Sequence, residues 1–100
     1  MNFPLNIRRF HIVEDAKNNI VSFQPDLIIT DIEMPNINGY ELIEFIRKIS
    51  NIPIIAVSGS SFGDNNTETV LHVASLVGAN FTLTKNNIQN KLPELVTSIL

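Results

Sequence analysis

Asp31, Ser58 and Lys85 have side chains that can together handle a phosphoryl group, and each directly follows a short apolar segment of the chain. A carboxylate can attack phosphorus as a nucleophile, an ammonium can neutralise charge on the transferring group, and a hydroxyl can hydrogen-bond a phosphoryl oxygen. Taken singly, Asp and Ser at such positions often only cap a helix or a turn. The chemistry therefore depends on whether the fold brings the three residues together.

The apolar segments before these residues are predicted to be β-strands. Segments 27–30 and 52–57 are apolar throughout, which is typical of buried parallel strands, and segment 81–84 alternates as an edge strand does. The carboxyl ends of parallel strands lie at one edge of a sheet, and α/β folds bind their ligands there. One sheet would thus bring the carboxylate, the hydroxyl and the ammonium to the same edge.

The spacing of apolar residues predicts helices between and after these strands. Residues 40–49 form one such helix, with Asn38 placed to cap it, and residues 67–77 form another. The spacing over 92–100 predicts a last helix, in which Pro93 is tolerable only near the first turn. This alternation predicts an α/β fold, a doubly wound parallel sheet with helices on both faces.

The composition suits one compact domain over residues 1–100, because 100 residues of which 44% are hydrophobic can bury a single core. The net charge of -3, without a basic cluster, argues against direct nucleic-acid binding, and the basic pair Arg47-Lys48 is expected on a solvated surface. The chain has no cysteine and no apolar run long enough to cross a membrane, and its first residues do not resemble a signal peptide. We therefore expect a soluble, cytoplasmic protein without membrane contact.

Three parts of the chain resemble the receiver domains of response regulators, the CheY-like switches of two-component signalling. The segment from Pro25 to Pro35, followed by Asn38-Gly39-Tyr40-Glu41-Leu42, resembles the phosphoacceptor strand, its loop and the start of the next helix. Segments 52–59 and 78–85 resemble the strand with the hydroxyl residue and the segment that ends in the family's lysine. The resemblance covers about residues 25 to 100 and implies the flavodoxin-like receiver fold.

The resemblance implies a role for each candidate residue. Asp31 would be the phosphoacceptor, Ser58 the hydroxyl that senses the phosphoryl group, and Lys85 the charge partner. The backbone carbonyl of Glu33 would join Asp31 as a ligand of Mg²⁺, the cofactor of the family. These roles come from the family and are expectations for this chain.

The implied function is a switch of a two-component phosphorelay, which accepts a phosphoryl group on Asp31 and is not itself an enzyme. The phosphodonor would be a histidine kinase, a phosphotransfer protein or a small phosphodonor, and a downstream output protein would read the switch. An incomplete sheet would expose unpaired strand edges, so a homodimer is compatible with the sequence.

The N-terminal part is short for a receiver, because only 30 residues precede Asp31 and receivers place two strands and two helices there. In one interpretation a strand-helix unit is lacking, Leu5–Phe10 is the family's second strand, and Ile12–Phe23 is its second helix. In the other, 10–13 is the first strand, Glu14-Asp15 is the acidic metal pair, and an internal deletion follows. The first interpretation leaves the magnesium site without its acidic pair, whereas the second completes it.

Three further residues bear on how such a switch would work. The family usually has a cis proline after its lysine, but Asn86 follows Lys85, and a cis bond without proline costs about 2.5–4 kcal/mol, so we expect a trans peptide. Thr82 occupies the position of the family's switching aromatic residue, and Phe81 is expected to face the other side of the strand. Gly39 is expected to permit a backbone turn that a residue with a side chain would strain.

Two other functions stay open on the sequence alone. A degenerate receiver would never take phosphate and would act as a protein-binding module, which the short N-terminal part favours. A haloacid-dehalogenase-like phosphohydrolase also uses a strand-end Asp, a Ser or Thr and a Lys. It needs a second aspartate two positions after the nucleophile, however, where this chain has Glu33. Labelling that depends on Mg²⁺ would separate the phosphorylated switch from the binding module.

Overall fold

The computed structural model describes residues 10, 13–34, 37–59 and 66–100, which form four helices and five strands. In chain order the elements are α1 Val13–Phe23, β1 Ile28–Asp31, β2 Glu33–Met34, β3 Ile37–Asn38, α2 Gly39–Ile49, β4 Ile54–Ser58, α3 Asn66–Val77, β5 Phe81–Thr84 and α4 Ile88–Ile99. None of these helices combines the length and the apolar composition needed to cross a bilayer. The predicted alternation of strands and helices is confirmed, and with it the α/β fold class.

A three-stranded parallel sheet in the order β1–β4–β5 is the centre of the fold. β4 is buried over its whole length, as the apolar sequence of its first four residues predicts, and the burial includes the polar Ser58 at its end. The register aligns Asp31 with Val57 and Ser58 with Thr84, so all three strands end at the same edge. A short antiparallel hairpin of β2 and β3 follows β1. The apolar pattern along the chain does not predict this hairpin.

The two faces of the sheet are covered by different helices. Successive residues of β4 point to opposite faces, so Ile54 and Ala56 join one core cluster while Ile55 and Val57 join the other. The first cluster contains side chains from α1, α2 and α3, and the second packs against α4. Full burial of an isoleucine side chain contributes about 1.5–3 kcal/mol, so β4 holds helices to both faces of the sheet.

Helix α1 is attached to α2 by an ion pair and by apolar contacts. The ammonium of Lys17 lies 2.9 Å from Oε1 of Glu41 and 5.3 Å from the centre of the Phe45 ring. The hydrogen bond to Glu41 raises the pKa of Lys17 above its ordinary value. Ile20, one turn further along, is buried in the cluster that α2 and α3 also contact. α1 therefore lies on the same face of the sheet as α2.

The position of α1 decides between the two interpretations of the N-terminal part. Glu14 and Asp15 lie in the first turn of α1 and are exposed, and Oε1 of Glu14 lies 3.6 Å from Nζ of Lys17. The interpretation that makes them an acidic pair at the end of a strand is therefore wrong. The helix predicted over Ile12–Phe23 is present from its second residue. The strand predicted over Leu5–Phe10 falls almost entirely outside the described residues.

The last helix begins earlier than its apolar spacing suggested. α4 starts at Ile88, so Pro93 lies inside the helix and not in its first turn. The missing N–H of Pro93 would otherwise donate to the carbonyl of Gln89, and both residues are exposed, so water can replace the donor. The early start also brings Ile88 against the second core cluster, and this contact offsets the lost hydrogen bond.

Arg47 is a structural residue, contrary to the expectation of a solvated surface. Its guanidinium donates hydrogen bonds to the carbonyls of Gly78 (2.9 Å) and Ile52 (2.8 Å). It also donates to Oδ1 of Asn80 at 2.6 Å, and this oxygen accepts the backbone N–H of Ile54 at 2.8 Å. These bonds join the end of α2, the end of α3 and the start of β4, at the edge of the sheet opposite to the candidate site.

We predict that Arg47→Lys lowers the free energy of unfolding by about 1–3 kcal/mol, because an ammonium cannot reproduce the planar fork that donates to four separated acceptors, the carbonyl of Ser50 among them. Urea unfolding followed by circular dichroism measures this change. Lys48→Ala, at the exposed neighbouring position, is the control and should change stability by less than about 0.5 kcal/mol. An Arg47→Lys protein as stable as the wild type would contradict the structural role.

Candidate functional site

Asp31 and Lys85 meet at the edge of the sheet where their strands end. The Nζ atom of Lys85 lies 3.0 Å from Oδ2 of Asp31, within the range of a charge-assisted hydrogen bond. The Asp31 side chain is 19% exposed and the Lys85 side chain 53%, so a ligand can reach the pair from solvent. Because β4 lies between β1 and β5, the lysine side chain extends across the end of the central strand.

Ser58 ends β4, between the strands that carry the ion pair, and its side chain is fully buried. None of the described residues hydrogen-bonds its hydroxyl, so this hydroxyl is bonded neither to Asp31 nor to Lys85. A buried hydroxyl that lacks a partner costs about 1–3 kcal/mol, which an alanine at this position would avoid. The site therefore contains a polar group whose hydrogen-bonding capacity the described fold does not use.

Two glycines allow the backbone to come close to the site. A Cβ atom on Gly39 would lie 2.6 Å from the carbonyl oxygen of Asp31, so the start of α2 is pressed against the end of β1. A Cβ atom on Gly59 would lie 2.7 Å from the Cβ of Lys85, whose N–H donates to the carbonyl of Ser58 at 3.2 Å. Gly39 does not have a left-handed φ. This close approach, and not the turn expected from the sequence, is the reason for glycine at position 39.

The residues around Lys85 and β5 differ from the family pattern as the sequence predicts. The peptide between Lys85 and Asn86 is trans. Thr82 is exposed at the position of the expected aromatic residue. Phe81, on the same face of β5 as the buried Leu83, is 36% exposed. The aromatic ring therefore lies on the opposite face of β5 from the position that the family uses.

The oxygen ligands that the described residues offer do not by themselves suit Mg²⁺, the metal ion that the family resemblance implies. Mg²⁺ demands near-octahedral coordination by oxygen atoms, with carboxylates among its protein ligands. Asp31 offers a carboxylate and Glu33 a backbone carbonyl, whereas Glu14 and Asp15 are exposed on α1. Within the described ranges, no three acidic or histidine side chains form a group that could hold a metal ion. Further ligands would have to come from outside these residues.

Comparison with known proteins identifies similar domains over nearly the whole chain. The family described as "Response regulator receiver domain" matches residues 3–97. The receiver domain of NtrX from Brucella abortus superimposes with a TM-score of 0.80 at 21% identity, over 97% of this chain and 79% of that chain. The signal receiver domain of a signal transduction histidine kinase from Syntrophus aciditrophicus gives a TM-score of 0.76 at 27% identity, over 97% and 72%. The predicted receiver fold is confirmed.

Curated relatives match over a shorter stretch. A protein-glutamate methylesterase/protein-glutamine glutaminase from Caulobacter vibrioides is 39% identical over 44 residues, which are 44% of this chain and 13% of that protein. The sensory transduction protein BceR from Halalkalibacterium halodurans is 36% identical over 58 residues, which are 58% of this chain and 24% of that protein. The chain thus matches less than a quarter of the length of these relatives, one of which is named as an enzyme and the other as a sensory transduction protein.

We predict that Ser58→Ala leaves the free energy of unfolding unchanged or raises it by up to about 1 kcal/mol, because the lost hydroxyl leaves no partner behind among the residues that the structure describes. Thr30→Val is the matched control at a second buried hydroxyl, which donates to the carbonyl of Asp31 at 3.1 Å. This change should lower stability by about 0.5–1.5 kcal/mol. Urea unfolding measures both, and a Ser58→Ala protein destabilised more than Thr30→Val would show that the hydroxyl has a structural partner.

Proposed function

Because this chain belongs to the family of response regulator receiver domains, we propose that residues 1–100 contribute one switch of two-component signalling that accepts a phosphoryl group on Asp31. The observation that carries the proposal is the 3.0 Å contact between Nζ of Lys85 and Oδ2 of Asp31 at the carboxyl edge of the parallel sheet. The hydroxyl of Ser58 beside this pair supports it, because none of the described residues hydrogen-bonds this buried group and a purely structural ion pair has no need of one.

In the proposed reaction an oxygen of Asp31 forms a bond to the phosphorus of the donor. The bond between phosphorus and the leaving group breaks, and the leaving group keeps the electron pair. The ammonium of Lys85 loses a carboxylate partner as the acyl phosphate forms and gains the phosphoryl oxygens, whose negative charge it neutralises. Lys85 thus stabilises the product with a group that is already in place before the reaction.

Ser58 would couple the phosphoryl group to a change of shape. A phosphoryl oxygen on Asp31 offers an acceptor to the Ser58 hydroxyl, which is fully buried and has no partner among the described residues. Because the side chain is buried, making this bond requires the end of β4 to adjust. Phosphorylation would then shift the population between two conformers of the surface near Ser58 and β5, and an output protein can distinguish them.

The proposed phosphodonor is a histidine kinase, a phosphotransfer protein or a small acyl phosphate, and the proposed reader is a downstream output protein. The role is regulatory and not enzymatic, because Asp31 is itself modified and no separate substrate is turned over. The proposed location is the cytoplasm, where such donors are found. Ile29 is 46% exposed on β1, and this apolar side chain offers a contact for a homodimer.

The small number of possible Mg²⁺ ligands among the described residues favours a second candidate function. In this function the protein is a receiver-shaped module that binds proteins without being phosphorylated. Phosphoryl transfer normally uses Mg²⁺, and the residues described at the site fit this ion poorly. In such a module the ion pair of Asp31 and Lys85 would only fix the strand ends. The family match leaves no observation in favour of the phosphohydrolase that the sequence alone kept open.

We predict that the wild-type protein gains one phosphoryl group when it is incubated with acetyl phosphate, and that Asp31→Asn gains none, because the amide is not a nucleophile. Intact mass spectrometry, with and without Mg²⁺, measures the gain, and release by hydroxylamine identifies an acyl phosphate. Asp26→Asn, an exposed acid shortly before β1, is the matched control and should be labelled like the wild type.

Each outcome of this experiment decides between the two candidate functions. A gain in the wild type that needs Mg²⁺ supports the switch and shows that the metal site is completed by ligands beyond those described. A gain that does not need Mg²⁺ also supports the switch. No gain in a folded wild-type protein, or an equal gain in Asp31→Asn, overturns phosphorylation of Asp31 and leaves the binding module.

A further inference from the structure

Lys85 lies in a four-residue turn that is closed twice by the same pair of residues. The backbone N–H of Asn87 donates to the carbonyl of Thr84 at 3.2 Å, which makes Lys85 and Asn86 the two central residues of the turn. The side-chain Oδ1 of Asn87 accepts the backbone N–H of Thr84 at 3.1 Å. Thr84 and Asn87 thus exchange two hydrogen bonds around the lysine.

The side chain of Asn87 does not cap α4, although Asn87 lies at the N-cap position of this helix. Asn87 is the N-cap residue of α4, and its carbonyl accepts the N–H of Lys91 at 2.9 Å. An N-cap asparagine usually turns its side-chain oxygen forward to an N–H of the first helical turn. Asn87 makes no such bond, and its oxygen points back to the end of β5 instead. The side chain therefore serves the turn and not the helix.

The first half of the turn is fixed by β4. The N–H of Lys85 donates to the carbonyl of Ser58, and the Lys85 backbone fits against Gly59 with no room for a Cβ atom there. The second half, Asn86 and Asn87, has no such support from β4 and no proline ring to limit its dihedral angles. The carbonyl of Asn87 ties this half to α4, and the double closure between Asn87 and Thr84 ties it to the end of β5.

We propose that Asn87 is a positioning residue of the site, whose side-chain oxygen holds the turn so that the Lys85 ammonium meets the Asp31 carboxylate. What the ion pair does in phosphoryl transfer rests on the proposed function, but the positioning itself does not. Without the Asn87 oxygen, the turn gains freedom and Lys85 leaves Asp31 for part of the time. The site then keeps both charged groups but loses their alignment.

The test compares Asn87→Ser with Asn86→Ser, the same substitution one residue earlier at an exposed side chain. Serine is a good N-cap, so Asn87→Ser keeps α4 while its short hydroxyl withdraws from Thr84. The readout is the rate at which an amine-acylating reagent modifies each lysine, measured by peptide mass spectrometry. Asp31→Asn gives the rate of an unpaired Lys85, and the exposed Lys48 is the internal reference.

We predict that Lys85 of the wild type reacts about two- to fivefold more slowly than Lys85 of Asp31→Asn, as expected for an exposed ion pair. Asn87→Ser should raise the rate to a value between those of the wild type and Asp31→Asn, while Asn86→Ser keeps the wild-type rate. Amide hydrogen exchange of Thr84 in the wild type adds a measurement that needs no variant, and it should be slow because its N–H is bonded to Asn87.

An Asn87→Ser protein with the wild-type Lys85 rate, an Asn86→Ser protein with an equally raised rate, or a rapidly exchanging Thr84 amide would each overturn the positioning role. The outcome is separate from that of the proposed function. If acetyl phosphate leaves the wild type unlabelled but the Lys85 rates change as predicted, phosphorylation of Asp31 fails and the positioning stands. If the wild type is labelled, Asn87→Ser should be labelled more slowly than Asn86→Ser.

Discussion

The parallel pairing of β4 with β1 on one side and β5 on the other determines where every candidate functional side chain lies. Because the three strands run in the same direction and in register, Asp31, Ser58 and the turn with Lys85 all emerge at one edge. The buried side chains of β4 bind helices to both faces, so this pairing is also what holds the core together. The positions of the site residues are thus determined by the most buried strand of the sheet.

The ion pair at this edge has the properties of a contact that can be exchanged. The Lys85 side chain is 53% exposed, so solvent screens its pair with the mostly buried Asp31 carboxylate; the pair contributes on the order of 1 kcal/mol and its rearrangement costs little. Charge-assisted hydrogen bonds to a phosphoryl group are shorter and stronger than neutral ones. A lysine held in place but weakly bound could therefore change from the carboxylate to a phosphoryl oxygen without moving its own strand. The Ser58 hydroxyl, which no described residue hydrogen-bonds, could gain a partner only if the end of β4 adjusts.

The sequence predicts those features that depend on local pattern and on the general rules of parallel sheets. The strand over 81–84 is observed at the predicted residues, and the contact of Asp31 with Lys85 agrees with the rule that strand ends share an edge. The features that it does not predict depend on partners far away in the chain. Arg47 binds Gly78, 31 residues later. The need for glycine at position 39 comes from the carbonyl of Asp31, which only the folded chain brings near.

The bonds of Arg47 also bear on how such a domain can diverge. At Ser50 and Ile52 the guanidinium binds main-chain carbonyls, which every amino acid possesses. Mutations can therefore replace both side chains over evolutionary time without removing the acceptor, provided that the arginine is kept. At these two positions the contact requires the arginine and the course of the backbone, and it does not require any particular neighbouring side chain.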